Sequence, residues 1–214
     1  MIKLKIGNVE IEWFGHATFM VKAGGKTIYF DPFVLPNEPE KADLILITHE
    51  HYDHCSPEHV DKIKKEETVI ITTESSARKL SGNVQTIKEW GMLELDGIKI
   101  YAVPAYNIDK PFHPRGLGVG FILEVENTRI YHAGDTDCIP EMKEVKADIA
   151  LLPIGGTYTM NVDEAVKAAL TIKPKVVIPM HFGYIEGTEA DPNSFKEKVM
   201  AGSKEIEVVI LKPL

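Results

Sequence analysis

The chain has 214 residues, of which 44% are hydrophobic and 26% are charged, as is ordinary for a soluble globular protein. No apolar run approaches the roughly 20 residues that a membrane-spanning helix needs, so we expect no membrane segment. The net charge of −8, from 32 acidic and 24 basic residues, argues against general nucleic-acid binding, which needs clustered lysines and arginines.

The amino terminus and the cysteine content indicate a cytoplasmic protein. Residues 1–6 alternate as a strand does and lack the apolar core of a signal peptide. The two cysteines, Cys55 and Cys138, are too few for a disulfide framework. The length allows one large domain or two small ones. We predict a single domain over residues 1–214, because neither a repeat nor a low-complexity tail interrupts the chain.

The first 80 residues give a run of strands followed by alternating helices and strands. Residues 2–30 alternate in short strands, and Gly24-Gly25 marks a hairpin turn. A proline-bearing connector over residues 34–42 follows. The next predicted elements are a buried strand at 43–47, a helix from Ser56-Pro57 to about residue 66, a strand at Thr68–Thr72 and a short helix at Glu74–Leu80.

The rest of the chain repeats that order. Short strands are predicted at 84–87, 92–95 and 98–103, and a hairpin at 119–131. The long loop between them, 104–118, is of a length that is usually functional in a compact domain. This order alone indicates an α/β or α+β fold with many strands. The last predicted elements are a strand at 148–152, a helix at 162–172 capped by Thr159 or Asn161, a strand at 176–179, a helix from Asp191-Pro192 to about residue 200, and a strand at 206–211.

A histidine-rich loop stands out at the end of the predicted strand at 43–47. Its sequence is Thr48-His-Glu-His-Tyr-Asp-His54, which reads H-x-H-x-D-H. Neutral imidazole and carboxylate together form a ligand set for zinc, manganese or iron. The alternative is a polar surface loop that happens to be rich in histidine. Because the cluster directly follows a buried strand, where sites in α/β folds are usually built, we interpret it as a metal site.

The same loop carries a resemblance to a known family. H-x-H-x-D-H after a buried strand is the signature of the metallo-β-lactamase-fold superfamily, and three further stretches extend the match: Gly15-His-Ala-Thr18, Tyr131-His-Ala-Gly-Asp-Thr136 and Pro179-Met-His-Phe182. Over residues 15–182 the chain resembles the small, lactonase-related hydrolase branch of that superfamily. The resemblance implies a four-layer αββα sandwich.

The resemblance also implies a site for two divalent metal ions. Asp135 would bridge the two ions, since Asp137, further along, fits this position less well. His49 and His51, two apart in extended backbone, face the same way and would share one ion. The full implied set is His49 and His51 for the first ion, Asp53, His54 and His181 for the second, and Asp135 for both.

The third ligand of the first ion is where this sequence departs from the family. Relatives usually offer a histidine after the strand that corresponds to residues 98–103, whereas Asn107 stands here. An amide oxygen is a poor match for zinc beside two imidazoles. His113 lies six residues further along the same loop, and we predict that it supplies this ligand while Asn107 lines the cleft.

Other residues are expected around the ligands. His16 is either a core histidine or a cleft residue by its chemistry alone, and the resemblance puts it near the site. Asp31 is expected as a loop carboxylate close to a ligand, and His132 as a residue that faces the site or orients a ligand through its ring N–H. Tyr158 is expected to line the substrate cleft, whereas both cysteines are interpreted as structural rather than as thiolate ligands.

These residues predict a metal-dependent hydrolase of a small-molecule substrate. Two ions, zinc first and manganese or iron as alternatives, would depress the pKa of a shared water. The resulting hydroxide would attack an ester, lactone or phosphoester, with Asp53 orienting it and passing a proton to the leaving group. Phosphodiesterase or nuclease activity on the same fold, and a metal-binding sensor or scaffold without turnover, are the alternatives. A homo-oligomer is left open.

Overall fold

Two mixed β-sheets form the body of the protein in its computed structural model, which describes residues 3–214. The predicted start of the first strand at Ile2 therefore lies outside the described residues. Each sheet has seven strands, and each is built from consecutive strands of one half of the chain. The order of strands and helices predicted from the sequence is thus the order observed.

The first sheet keeps its strands in chain order. Strands β1 to β4 pair antiparallel through short turns, and β4 to β7 pair parallel through longer connections. The strands are β1 (Leu4–Ile6), β2 (Val9–Gly15), β3 (Thr18–Ala23), β4 (Lys26–Phe30), β5 (Leu44–Ile47), β6 (Val69–Thr72) and β7 (Asn83–Thr86).

The second sheet follows the same plan. Strands β8 to β11 pair antiparallel, and β11 to β14 pair parallel. The strands are β8 (Met92–Leu95), β9 (Ile98–Ala105), β10 (Gly118–Val125), β11 (Thr128–His132), β12 (Ile149–Pro153), β13 (Val176–Met180) and β14 (Glu207–Val208).

Helices cover the outer faces of both sheets. Helix α1 (Pro57–Ile63) buries Val60 and Ile63 against the outer face of the first sheet, and α2 (Glu74–Ala77) follows β6. Helices α3 (Val162–Ile172) and α4 (Pro192–Gly202) bury their apolar sides with the second sheet. The inner faces of the two sheets share one apolar core. The predicted αββα sandwich of the metallo-β-lactamase fold is confirmed.

Strand β9 is longer than the sequence predicts and shortens the loop that follows it to residues 106–117. It runs through Pro104, which pairs with Val119 of β10. The N–H and the carbonyl of Ala102 form hydrogen bonds on the side of β9 that faces β8. Because these groups alternate in direction along a strand, the nitrogen of Pro104, two residues further on, points to the same side, at a position beyond the start of β8. A proline is tolerated there because no ladder partner is lost.

Several other boundaries differ from the prediction. Helices α1 and α2 end earlier, and a 3₁₀ helix at Pro140–Glu144 was not predicted. The final strand covers only two residues, because only Glu207 and Val208 lie in register with β13. Asn161 rather than Thr159 caps α3, in a reciprocal pair of hydrogen bonds with Glu164. Within residues 3–214, no helix is both long and apolar enough to cross a bilayer.

Candidate metal centre

The candidate site lies where strands from both sheets end. Asp31 follows β4 and the loop of residues 48–54 follows β5, both at the carboxyl ends of strands in the first sheet. Asp135 follows β11 and His181 follows β13 in the second sheet. Parallel strands bring their carboxyl ends to one edge of a sheet, which is where α/β proteins bind ligands. The packing of two such sheets brings both edges to one centre.

Three site residues adopt a left-handed backbone conformation that L-residues avoid. His16 has a φ of 51°, Asp31 of 41° and His181 of 55°. Each directly follows a strand, so the chain turns sharply and directs the side chain towards the centre. The turns at His16 and His181 also touch, because the His181 N–H donates to the His16 carbonyl at 2.9 Å. Such strain persists where the surrounding structure holds it, and it is enriched at functional sites.

A first group of possible ligands consists of His49, His51 and His113, whose ring nitrogens lie within 4.8 Å of one another. His51 Nδ1 is 3.0 Å from His49 Nε2 and 3.2 Å from His113 Nε2. His113 is 62 residues from His51 in the chain and reaches it because the 106–117 loop folds back over the metal loop. The geometry is that of three imidazoles around a common point.

A second group consists of His16, Asp53, His54 and His181, whose ligand atoms also lie within 4.8 Å of one another. Asp53 Oδ2 is 2.9 Å from His16 Nε2, 3.5 Å from His54 Nε2 and 4.0 Å from His181 Nε2. His16 was expected near the site but was not among the predicted ligands. Its membership of this group could not be read from the sequence, since Asp53 is 37 residues away.

Asp135 lies between the two groups. Its Oδ2 is 3.2 Å from His113 Nε2 of the first group. Its Oδ1 is 3.1 Å from His181 Nε2 and 3.2 Å from His54 Nε2 of the second. One carboxylate oxygen therefore faces each group, which is the arrangement that a bridging ligand requires. Asp137, the weaker candidate from the sequence, belongs to neither group.

Buried polar atoms without hydrogen-bond partners mark this centre as suited to cations. Within residues 3–214 these atoms include Nδ1 of His16, Nε2 of His54, both ring nitrogens of His181 and Oδ1 of Asp135. The contacts of Asp135 Oδ1 with His54 and His181 are close but lack hydrogen-bond alignment. A buried polar group is costly unless something satisfies it. Imidazole nitrogens and carboxylate oxygens converging in this way fit zinc, manganese or iron.

Charge and burial set the protonation of the centre. Burial lowers the pKa of His16 to about 4, and burial together with the adjacent His54 holds the pKa of His49 well below its ordinary value. Burial opposes ionisation of Asp135, but His181 and His54 outweigh it and keep its pKa well below that of an ordinary carboxyl. The pKa of His54 is raised instead, because the surrounding carboxylates outweigh its burial. The centre therefore combines ionised carboxylates with neutral imidazoles at His16 and His49, the forms that bind metals, whereas His54 would have to release a proton to bind one.

Asp31 orients His54 from behind. Its Oδ2 lies 2.7 Å from His54 Nδ1, which leaves Nε2 of that ring to face Asp135. The same carboxylate accepts hydrogen bonds from the backbone N–H and the hydroxyl of Thr48, both at 2.7 Å. A carboxylate on the far nitrogen of a histidine fixes the tautomer and orientation of a metal ligand. Asp31 thus lies beside His54, one of the possible ligands.

Asn107 holds His113 in the same way, and it does not line the cleft as predicted. Its Oδ1 is 3.0 Å from both the backbone nitrogen and Nδ1 of His113. Its amide nitrogen donates to Asp137 Oδ1 and to the carbonyl of Tyr158, each at 3.0 Å. Asp137, 4% exposed, also accepts from Ile108 N at 2.8 Å. Asp137 therefore holds Asn107 in place, a contact that the sequence does not reveal because the two residues lie 30 apart in the chain.

His132 corrects another expectation, because no ring hydrogen bond joins it to a ligand side chain. The ring is fully buried and stacks on Phe30 of the other sheet, with centroids 5.0 Å apart and an interplanar angle of 8°. Nε2 donates to the Ala17 carbonyl at 2.9 Å, and Nδ1 accepts from Gly134 N at 3.2 Å. His132 is a core residue that fixes the backbone next to His16 and Asp135.

Glycine permits the close approach between the metal loop and the second sheet. A Cβ at Gly118 would lie 3.0 Å from His49 Cβ, and a Cβ at Gly134 would lie 3.1 Å from Thr48 Cβ. Gly134 also has a φ of +64°, which favours glycine. The backbone hydrogen bond from Val119 N to the Thr48 carbonyl, 3.0 Å long, fixes this approach.

A cleft of about 240 Å³ opens above the centre. Tyr158 lines this cleft together with Tyr52, Phe112 and Ile185, and His51 and His181 also form part of its lining. The two cysteines are free thiols outside the candidate ligand groups. Burial raises the pKa of the Cys55 thiol to about 11, consistent with a structural role.

Comparison with known proteins agrees with this geometry and confirms the resemblance inferred from the sequence. Residues 10–181 match the family described as "Beta-lactamase superfamily domain". A metal-dependent hydrolase from Archaeoglobus fulgidus is 38% identical, with 96% of each chain covered. The crystal structure of a proposed metal-dependent hydrolase from Parabacteroides distasonis is 35% identical, with a TM-score of 0.85 over 100% of this chain and 98% of that chain. A proposed zinc-dependent hydrolase of the metallo-β-lactamase superfamily from Thermotoga maritima is 28% identical, with a TM-score of 0.67 over 96% and 100%.

Proposed function

The chain belongs to the beta-lactamase superfamily as a metal-dependent hydrolase, and from that premise we propose that it uses two divalent ions to hydrolyse a small-molecule ester, lactone or phosphoester. The proposal of two ions rather than one rests on the position of Asp135. Asp135 presents Oδ2 to one group of histidines and Oδ1 to the other, at 3.1–3.2 Å. A single ion would leave one of the two buried groups without a partner, at a cost in stability.

Zinc is the proposed metal, with manganese or iron as alternatives. The donors are imidazole nitrogens and carboxylate oxygens, a set that suits all three ions. The Thermotoga maritima relative is named as zinc-dependent. His49, His51 and His113 would hold the first ion, and Asp53, His54 and His181 the second, with Asp135 shared. His16 is a further possible donor to the second ion.

When bound, the ions would activate a water molecule and offset the negative charge that develops on the substrate. The protein's own side chains would orient the water and transfer its proton. Asp53 lies on the cleft wall and is held by His16 at 2.9 Å. Burial opposes ionisation of Asp53, but His54 and the hydrogen bond with His16 keep its pKa below the ordinary range. An ionised carboxylate in this position can orient the attacking water and transfer its proton to the leaving group.

The test is a metal-dependent assay on matched substrates. The purified protein is stripped with a chelator and reconstituted separately with Zn²⁺, Mn²⁺ and Fe²⁺. Each form is assayed on a para-nitrophenyl carboxylic ester, a γ-lactone and bis(para-nitrophenyl) phosphate. We expect hydrolysis only in reconstituted samples, and His49→Ala should abolish it. Full metal occupancy without turnover on any substrate would support a sensor or scaffold instead, and preferred cleavage of the phosphodiester would support phosphodiesterase activity.

A further inference from the structure

The cleft above the metal centre is walled by apolar and aromatic side chains. Phe112 and Tyr158 form one wall, with ring centroids 4.8 Å apart in an edge-to-face arrangement. Tyr52 of the metal loop also lines the cleft, and its ring centroid lies 5.8 Å from that of Phe33 in an edge-to-face arrangement. Ile185 is the fourth apolar or aromatic residue of the lining. These residues come from four separate loops, so the wall is built around the centre rather than along one element.

The aromatic rim is exposed to an extent that a structural role does not explain. Tyr52 is 68% exposed and Phe112 is 40% exposed, although both adjoin buried ionisable residues. Single exposed apolar residues are common on proteins, but exposed apolar residues grouped in a patch mark ligand-binding grooves and interaction surfaces. Ligand sites generally combine apolar walls with a few convergent polar groups, and this cleft has that composition.

No lysine or arginine lines the cleft within residues 3–214. The two cations of the 106–117 loop are engaged elsewhere. Lys110 is paired with Asp137 and Glu164. Arg115 is paired with Glu89 and Glu141, at 3.2 and 2.8 Å. Phosphate recognition generally uses arginine or lysine side chains in addition to a metal. The cleft therefore lacks the groups that would hold an anionic phosphodiester beyond the reacting atoms.

We propose that this cleft binds the apolar acyl portion of a neutral carboxylic ester or lactone, with Phe112 and Tyr158 as its specificity-determining wall. This inference rests on the proposed function and narrows its substrate class. In the reaction, the oxygen of water bonds to the carbonyl carbon and the bond from that carbon to the alkoxy oxygen breaks. One proton of the water passes to the alkoxy oxygen, so an ester gives a carboxylic acid and an alcohol, and a lactone gives a single hydroxy acid. The volume of about 240 Å³ suits a medium-sized acyl group.

A chain-length series tests the inference by kinetics. Para-nitrophenyl acetate, butyrate and octanoate share one leaving group, so differences in kcat/KM report acyl binding. We expect kcat/KM to rise by up to about fourfold per added methylene, the value for full burial of that group. Phe112→Ala should reduce the ratio of octanoate to acetate by about tenfold, and Phe112→Leu should restore most of it. Trp90→Ala is the control, since Trp90 is 56% exposed and lines a different cavity.

A binding measurement separates the inference from the proposed function. Calorimetry with the metal-loaded protein compares octanoate, acetate and dimethyl phosphate, none of which needs turnover. Octanoate should bind at least about tenfold more tightly than acetate, and Phe112→Ala should remove that difference. Equal binding of octanoate and acetate, or tighter binding of dimethyl phosphate, overturns the apolar cleft whether or not the protein hydrolyses esters. Octanoate preference without hydrolysis of any panel member supports the cleft and contradicts the proposed function.

Discussion

Asn107 Oδ1 lies 3.0 Å from His113 Nδ1, so the asparagine that replaces an expected histidine holds the histidine beside it. The amide nitrogen of Asn107 is committed to Asp137 and to the Tyr158 carbonyl. Only its oxygen is left for His113, and an oxygen acceptor fixes a proton on Nδ1. The Nε2 lone pair of His113 is then free to face the metal centre. The departure from the family pattern is thereby compensated within one loop.

This relationship predicts an order of effects on metal affinity. His113→Ala removes a proposed ligand and should weaken binding at the first ion more than Asn107→Ala, which removes only the residue that orients it. Loss of such an orienting contact costs about 10- to 100-fold in metal affinity. Competition with a chromophoric chelator measures both variants, with the exposed Asn193→Ala as control. If Asn107→Ala weakened binding more than His113→Ala, the assignment of His113 as a ligand would be wrong.

Metal removal should lower stability as well as activity. The buried histidines and carboxylates of the centre lose their proposed partners in the stripped protein, and any ligand that binds only the native state raises the free energy of unfolding. We expect elemental analysis to give about two divalent ions per chain, in line with dinuclear hydrolase sites. Thermal unfolding should shift by several degrees between the stripped and loaded forms. A melting temperature unaffected by stripping, together with only trace metal after reconstitution, would contradict the dinuclear site.

Asp53→Ala should abolish hydrolysis and leave the fold intact. Asp53 lies on a loop at the edge of the cleft, so its loss opens no cavity in the apolar core. General acid–base catalysis contributes about 10²- to 10⁴-fold, and kcat should fall by at least the lower figure. Circular dichroism and thermal unfolding check the fold. Asp109→Ala, at an exposed position on the 106–117 loop, serves as control. Wild-type kcat in Asp53→Ala would remove Asp53 from the mechanism.

The sequence predicts the parts of this site that are local in the chain. The loop of residues 48–54 is recognisable from the sequence because four possible ligands follow one buried strand. The fold is recognisable from the repeated order of strands and helices. The sequence does not define the role of His16, because its contacts with Asp53 and His181 connect distant segments. The sequence presents Asp137 only as a weaker alternative to Asp135, and its contact with Asn107 again connects distant segments. Residues whose function depends on a hydrogen bond across loops carry no periodic or motif signal.

His132 shows the opposite error, in which a motif suggested a role at the site that the packing does not support. It stands three residues before Asp135 in the matched stretch, yet its ring lies flat on Phe30 in the core between the sheets. The alternation of side chains along β11 decides which residues face that core. The sequence does not show that the ring of Phe30, on the opposite sheet, lies against His132. Sheet-to-sheet contacts of this kind depend on the packing of two halves of the chain.

The structural role of His132 leads to a test that separates stability from metal binding. His132→Phe keeps an aromatic ring to stack on Phe30, although a somewhat larger one, and removes both ring hydrogen bonds. The Ala17 carbonyl and the Gly134 N–H would then be buried without these partners. An unsatisfied buried group costs about 1–3 kcal/mol, so the loss of partners for two groups should lower the free energy of unfolding by about 2–6 kcal/mol. Urea unfolding of the metal-loaded protein measures this change.

Metal content distinguishes this core role from a role in holding the ions. His132→Phe should retain the stoichiometry of the wild type, because the ring touches the backbone next to His16 and Asp135 but none of the ligand atoms. His181→Ala is the matched comparison, since it removes a buried imidazole that faces Asp135 at 3.1 Å. We expect His181→Ala to lose metal from the second group of ligands. A His132→Phe protein of unchanged stability that had lost a metal ion would return His132 to the site and overturn its assignment to the core.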